Sequence, residues 1–553
     1  MAEKDDSKKQ DLATVPGLLI VGFVFRLILL PFRFSVAFDE VNYLKLGVSG
    51  YLNGLSEVLH PYWSPLLPGF ISFFCHFFSN FELAGRLVSV VAGAFLVIPI
   101  YFLGKEVFDK RVGFVAAGFF AVFPPLAFQS TQILTEPLYM LFAILAIYTG
   151  LRMLKDYSTG RALLAGICSG LAYLAHPQGV GFFLLLVLWI VAGSLFKLFL
   201  IRPLRIVWLM AALLAGFLVV SAPYLFYLKR TTGAWTFSTK AAANLQMEAP
   251  AVKGGDPFRS LDAENKSVPI DRIFHQGDFL RATDGWKKPV REVTLKPFVI
   301  KYIKNVSDVF ASAIPQLFTT LPLLLFGVGL LGSSWQPQQG KVYLYLLSFI
   351  AFFWLALIPA FHITLRYFTP LWPVCTLWIG KGVLHIHDWL STNLSLVKFS
   401  KRNKLNAALL SSLLIGCLFL IVSFLPETAR VLARTSETKD VWAEPIEQKK
   451  AGLWLKEHRS GQKIIMSRNH AVDFYAGNYN ITQSVTIPRN DIERVLEYAK
   501  YRHVNYIVVN ERYKKSYPEI SFLLETSEPV AGLKLIYEAI GPANLKTRIF
   551  EVL

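Results

Sequence analysis

Runs of about twenty apolar residues, the length that carries a helix across a hydrocarbon core, recur through the first three quarters of this chain. No other feature restricts the fold as strongly. In lipid every backbone amide and carbonyl must be paired internally, and separate apolar runs satisfy that requirement as helices packed into a bundle. The runs predict eleven spans, near residues 14–32, 83–103, 112–129, 137–153, 162–175, 179–198, 206–226, 306–331, 342–361, 367–386 and 406–425. The 60–80 stretch adds a candidate re-entrant or interfacial helix, so the expectation is a polytopic α-helical membrane protein with about 11–13 transmembrane helices. Composition agrees, since 54% of the 553 residues are hydrophobic and the mean hydropathy is +0.44, more apolar surface than a soluble chain of this length needs.

Basic residues then orient the bundle, because short loops rich in Lys and Arg stay on the cytoplasmic side. The N-terminal MAEKDDSKKQ, then Lys105, Lys110 and Arg111, then Arg152, Lys155 and Arg161, then Lys197, Arg202 and Arg205, and finally Lys398, Lys401, Arg402 and Lys404 alternate onto one face. The net charge of +18 is therefore a topology signal and an attraction to anionic lipid, with no nucleic-acid partner expected. The other face receives the loops 33–82 and 227–305, the QSTQILTEP, AHPQG and HITLRYF turns, and everything after 426. No cleavage site follows the first apolar run, so it is read as a retained span. Cys75, Cys168, Cys375 and Cys417 lie in or beside apolar segments, so no disulfide framework is expected outside the membrane.

After Pro426 the composition becomes ordinary globular, which divides the chain into a transmembrane module, 1–426, and an outer α/β domain, 427–553. QKIIMSRN reads as a strand, NDIERVLEYAKYRHVNYIVVN as a helix running into a buried strand, and KLIYEAI with KTRIFEVL as a closing pair. This domain contains no nucleophile elbow, phosphate-binding glycine loop or metal-ligand spacing. Its expected role is to cap the bundle, with a direct part in acceptor binding as the alternative.

The chemistry-bearing residues fall on the outer face. Asp39 and Glu40 follow span one, Glu136 opens span four, His176 sits in LAHPQG, Lys240 in GAWTFSTK, and Arg366 with Tyr367 in HITLRYF. Each has a plain reading. The first pair can be solvated loop charges, Glu136 a carboxylate favoured by a helix dipole, His176 a turn residue and Arg366 a snorkelling anchor. Their convergence on one face favours a site. A lipid-phosphate-linked substrate needs cations for its phosphate, and transfer of its headgroup to a hydroxyl or amine needs a carboxylate as general base. Sugar transfer from a polyprenyl phosphate meets both needs.

The FDE loop, the following H-P-Y-W-S-P-L-L-P stretch, A-G-R-L-V-S at span two, T-E-P-L-Y, the G-x-x-x-x-S-x-K stretch ending at Lys240, and L-R-Y-F-x-P-L-W-P together resemble the membrane glycosyltransferases of the GT-C fold. Within these the chain is most similar to the group of lipid A aminoarabinose transferases and protein O-mannosyltransferases (family 39-like). The resemblance covers the full chain. It implies a polyprenyl-phosphate sugar donor, an inverting transfer, Asp39 as general base with Glu40 beside it, and Glu136 as the second acidic position. It implies Arg366, with Tyr367, on the donor phosphate, joined by Lys240. Tyr43, His60, Arg86 and His176 complete the expected substrate-binding set. Arg86 and Arg26 either neutralise the lipid phosphate or pair with carboxylates, Arg26 having a buried ion pair as its alternative.

One departure stands out. Where the aminoarabinose transferases carry an acidic-basic pair, this chain has Tyr62-Trp63-Ser64 with only His60 nearby, which implies a different donor or acceptor. No cofactor is expected, although adjacent Asp39 and Glu40 leave a magnesium or manganese ion open as an alternative. A secondary transporter or flippase of lipid-linked glycans is the competing class. It is disfavoured because no internal repeat and few mid-span ionisable residues are present, and a non-catalytic envelope scaffold ranks behind it. Sequons at Asn265, Asn305, Asn393 and Asn480 include one on the predicted cytoplasmic face, so the expected location is a prokaryotic plasma membrane.

Overall fold

A computed structural model gives the fold and describes residues 2–37, 39–196, 198–199, 202–240, 270, 295–361, 363–396, 403–434, 444–461 and 463–553. Most of the predicted outer loop 227–305 lies outside the described residues, as do Asn265, Lys197, Lys398, Lys401 and Arg402.

The bundle opens with α1 (Ala2–Leu29), α2 (Asp39–Asn53), α3 (Leu66–Phe74), α4 (Phe81–Phe95) and α5 (Val97–Val107). It continues with α6 (Lys110–Val122), α7 (Pro124–Gln129), α8 (Glu136–Asp156), α9 (Thr159–Ala175), α10 (Val180–Leu195) and α11 (Pro203–Thr232). Local chemistry sets the ends. Asn80 accepts from the Leu83 amide at 3.1 Å to start α4, Asp109 accepts from Val112 at 2.9 Å to start α6, and Gly233 at φ +75° closes α11.

Every predicted span is helical, but not every one is a full straight span. Among the described residues seven helices are long and apolar enough to cross a membrane, α4 and α5 together counting as one of 27 residues, and a bent pair makes an eighth. That pair is Leu295–Phe318 and Thr320–Leu331, turned by 105° at Thr319, whose φ of +60° is uncommon for a side-chain-bearing residue. The predicted 162–175 span is the 17-residue α9, and 112–129 is split by Phe123 and Pro124 into α6 and α7. The 60–80 stretch holds α3, a helix of nine residues.

Helices approach closely where glycine allows it. A Cβ on Gly216 would lie 2.1 Å from the Leu163 carbonyl oxygen, and one on Gly166 would lie 2.1 Å from that of Leu213, so α9 and α11 touch backbone to backbone. At one end of the bundle the basic loops meet acids. Lys105 pairs with Asp11 at 2.6 Å, Arg152 with Glu106 at 3.1 Å and Arg111 with Asp388 at 3.2 Å. The C-terminal α/β domain sits at the other end. Its four strands are β1 (Ile465–Ser467), β2 (Tyr506–Asn510), β3 (Leu533–Ile540) and β4 (Lys546–Val552), ordered β1-β2-β4-β3. The β1–β2 pair is parallel and the other two pairs antiparallel, with Ile507 opposite Phe550.

Candidate active site

Four segments bring acidic and basic side chains together at the domain-bearing end of the bundle. Asp39 is the first residue of α2 and Glu136 the first of α8, so each carboxylate stands at a helix N-terminus, where the dipole favours negative charge. Arg366 projects from a short turn, Leu365–Tyr367. The turn is pinned by the Thr369 hydroxyl donating to the Arg366 carbonyl at 2.8 Å and the Trp354 indole donating to the Phe368 carbonyl at 3.2 Å. The Arg366 Nη2 meets Asp39 Oδ2 at 2.6 Å and its Nε lies 3.8 Å from Glu136 Oε1. Asp39 and Arg366 keep 25% and 32% of their side-chain surface exposed, so a ligand can reach this ion pair.

Lys240 enters from the segment after α11. That segment is held by the Tyr173 hydroxyl donating to the Phe237 carbonyl at 2.7 Å and by the Thr239 hydroxyl donating to the Pro61 carbonyl. The ammonium lies 5.3 Å from the Tyr62 ring centroid and 5.1 Å from that of Trp63, a cation–π seat. Tyr43, one turn along α2 from Asp39, packs edge-on against Trp63 at 5.0 Å, and Tyr139 faces His176 at 5.2 Å. The result is a cleft with cations and carboxylates at its centre and aromatic rings around them.

The charges tune one another. Burial alone would raise the Asp39 carboxyl, yet Arg366, Lys240 and the hydrogen bond from Arg366 outweigh it and hold Asp39 below the usual carboxylate range. Asp39 in turn, against burial and with help from Glu136, raises Arg366 further. Burial lowers Lys240 although Asp39 pulls the other way. Burial, then Lys240 and Arg366, keep His176 well below its ordinary value, so it is neutral.

Several expected site residues lie elsewhere or do something plainer. Glu40 follows Asp39 directly, but successive helical residues point about 100° apart. Its buried carboxylate turns away from Arg366, accepts from the Ala37 amide at 3.3 Å and sits in the field of Arg86 and Arg33. Burial raises it above the usual carboxylate range. Arg86 also faces away from the cleft: it donates to Glu82 at 2.8 Å, to the Ser35 carbonyl at 2.9 Å and to the Thr131 carbonyl at 3.1 Å. His60 caps a turn, its Nδ1 accepting from the Tyr62 and Trp63 amides at 3.0 Å each, and burial pushes it down to about 3. Arg26 is fully buried and donates to the Gly22 and Ala121 carbonyls at 2.9 and 3.0 Å, with no ion pair among the described residues. The Arg366 guanidinium lies 5.4 Å from the Tyr367 ring.

Asp39 and Glu40 diverge, Arg366 stands between Asp39 and Glu136, and no three His, Cys, Asp or Glu side chains gather among the described residues. Tyr62, Trp63 and Tyr139 are cleft residues that sequence reasoning left out. For Tyr62 and Trp63 the signal was the departure from the related motif at that point. Beside the same segment, Leu59 and Pro65 border an apolar cavity of about 520 Å³ that also touches Phe70, Leu174 and Tyr224.

The fold that carries these residues is the GT-C fold of solved membrane glycosyltransferases. The dolichyl-phosphate-mannose-protein mannosyltransferase family model matches residues 60–227, and no curated protein matches by sequence. Among solved structures, the chain is similar to the oligosaccharyltransferase AglB from Archaeoglobus fulgidus, in complex with an inhibitory peptide and a dolichol-phosphate. The TM-score is 0.62 at 14% identity, over 97% of this chain and 80% of that one. It is also similar to ArnT from Cupriavidus metallidurans bound to undecaprenyl phosphate, with a TM-score of 0.52 at 12% identity over 98% of both chains.

Proposed function

We propose that the protein moves a sugar from a polyprenyl-phosphate donor to an acceptor at the outer face of a prokaryotic plasma membrane, inverting the anomeric centre. Asp39 is the general base and no metal takes part. The observation that carries this reading is the Asp39–Arg366 pair at 2.6 Å, reachable from the cleft and flanked by Lys240 and Glu136. Dolichol-phosphate on AglB and undecaprenyl phosphate on ArnT support the donor class, and the apolar cavity beside the 60–64 segment offers room for part of a prenyl chain. The one-ended clustering of basic loops supports the cytoplasmic assignment of that end.

In this reading the donor phosphate docks on Arg366 and Lys240. Arg366 then shares its charge with the phosphate, and Asp39 loses part of the interaction that keeps it acidic, so donor binding makes the base stronger. The acceptor oxygen or nitrogen attacks the anomeric carbon as its proton passes to Asp39. The bond from that carbon to the phosphate oxygen breaks, and the polyprenyl phosphate leaves with its charge held by the two cations. Tyr62 and Trp63 present ring faces to the sugar.

The test uses detergent-purified protein with synthetic polyprenyl-phosphate mannose, glucose and aminoarabinose, and a membrane extract as acceptor source. At least one donor should be consumed with inversion, and Asp39→Asn should lower the single-turnover rate by about 10²–10⁴-fold. Near-normal chemistry in Asp39→Asn with collapse in Glu136→Gln would move the base role to Glu136. Retention of configuration would exclude a single displacement.

A further inference from the structure

The residues leading into Asp39 are held in an unusual way. From Phe34 to Val36 the backbone polar groups are taken by side chains, most of them from the far end of the chain. The Phe34 and Ser35 amides both donate to Glu444 Oε2, the second at 3.2 Å. The Val36 amide donates to the Tyr475 hydroxyl at 2.9 Å. The Phe34 carbonyl accepts from Lys449 at 2.8 Å, and the Ser35 carbonyl from Arg86 at 2.9 Å. These clamps are joined to one another. Glu82 accepts from Lys449 at 2.9 Å, from Tyr475 at 3.0 Å and from Arg86 at 2.8 Å, while Glu444 also pairs with Arg33 at 3.3 Å and Arg434 at 3.2 Å. Glu444 and Tyr475 are each 6% exposed, and Ser35 and Val36 are 1% and 0% exposed.

An ordinary cap over a bundle does not need this. Loops normally leave much of their backbone to water, and a buried segment with no strand or helix of its own must find a partner for each amide and carbonyl. Here the C-terminal domain supplies partners for the Phe34, Ser35 and Val36 amides and for the Phe34 carbonyl, just ahead of α2, of which Asp39 is the first residue. We propose that the C-terminal α/β domain is a positioning element of the catalytic cleft. Through Glu444, Lys449 and above all Tyr475 it sets residues 34–37 and thereby the approach of Asp39 to Arg366. The link to catalysis rests on the reading of Asp39 given above. The link to the loop does not. Glu40 belongs to the same device, buried on a neighbouring face of α2 near Arg86 and Arg33, so the helix is anchored by one carboxylate and presents the other.

The experiment compares full-length wild type, Tyr475→Phe and Lys449→Gln in detergent, each alone and combined with Asp39→Asn. Hydrogen exchange of peptides spanning 34–40 should quicken by about tenfold or more in both variants, while β2 stays as protected as in wild type. Single-turnover consumption of the accepted polyprenyl-phosphate sugar should fall about 10- to 100-fold, as expected for a sub-ångström to ångström misplacement. Affinity for undecaprenyl phosphate should stay within about twofold, because Arg366 and Lys240 are untouched. In the Asp39→Asn background Tyr475→Phe should cost nothing more, since a residue acting through Asp39 has nothing left to act on. Unchanged exchange over 34–40, or a loss that adds in full to that of Asp39→Asn, overturns the proposal. Should Asp39→Asn itself turn over normally, the catalytic reading of Asp39 fails, and the exchange measurement alone then decides the positioning of the loop. Lys449→Gln keeps the test decisive if Tyr475→Phe does not fold.

Discussion

Replacing Arg366 by alanine removes a side chain that reaches both cleft carboxylates, Asp39 at 2.6 Å and Glu136 at 3.8 Å. Two unit charges 4 Å apart near a protein surface interact by about 4 kcal/mol, and losing one partner of a desolvated charge pair costs about 2–5 kcal/mol. With Arg366 32% exposed, screening places the loss of lipid-phosphate affinity in the lower part of that range. About 2–3 kcal/mol corresponds to a roughly 30- to 150-fold weaker Kd. Lys240→Ala should lose less, because its ammonium is seated on the Tyr62 and Trp63 rings. Arg366→Lys should recover under half of the loss, since a compact ammonium cannot reproduce the planar fork that puts Nη2 on Asp39 and Nε beside Glu136. The same change has a pH signature. Arg366 is the largest influence opposing burial at Asp39, so without it the Asp39 carboxyl rises. A base must be ionised to work, so the acid limb of the rate profile moves to higher pH. The assay is titration of undecaprenyl phosphate against purified variants, with single-turnover rates across pH on the accepted donor. Wild-type affinity in both Arg366→Ala and Lys240→Ala would remove these residues from the phosphate site.

Lys45 is fully buried on α2 and donates to the Ser484 hydroxyl, and burial lowers it from 10.5 to about 8. Between those values the unfolded chain binds the extra proton, so stability should rise with pH through that window, by about 3 kcal/mol in all. Lys45→Met should abolish the rise in melting temperature between pH 8 and 10. Cysteine introduced at the exposed Glu528 should react with an impermeant thiol reagent in intact cells, and cysteine at Arg111 only after lysis. The reverse pattern would invert the topology. Gly216→Ala should push α11 from α9, because the new methyl meets the Leu163 carbonyl at 2.1 Å. A lower melting temperature than Gly327→Ala, where nothing lies within 4 Å, checks this.

The sequence by itself determined what depends on neighbours along the chain. Twenty apolar residues must pair their own amides, so each predicted span is helical, and the alternating pattern after 463 forms strands at the places it predicts. Local charge also predicts one shared face for residues as distant as Asp39, Glu136, Lys240 and Arg366, and the structure places them in one cleft. Direction within that face was not legible. Asp39 and Glu40 are adjacent in sequence, and only the packing of α2 decides that the first faces Arg366 and the second is buried near Arg86 and Arg33. Arg86 itself looks like a phosphate ligand in a linear reading, until Glu82 one turn earlier accepts its charge. The 105° bend at Thr319 falls inside a run that hydropathy alone reads as one span. Nor does any pattern near residue 34 announce that Glu444 and Tyr475, more than 400 positions away, complete its hydrogen bonds. Such partners are chosen by the burial of a loop that cannot pair with itself, and burial is a property of the assembled molecule.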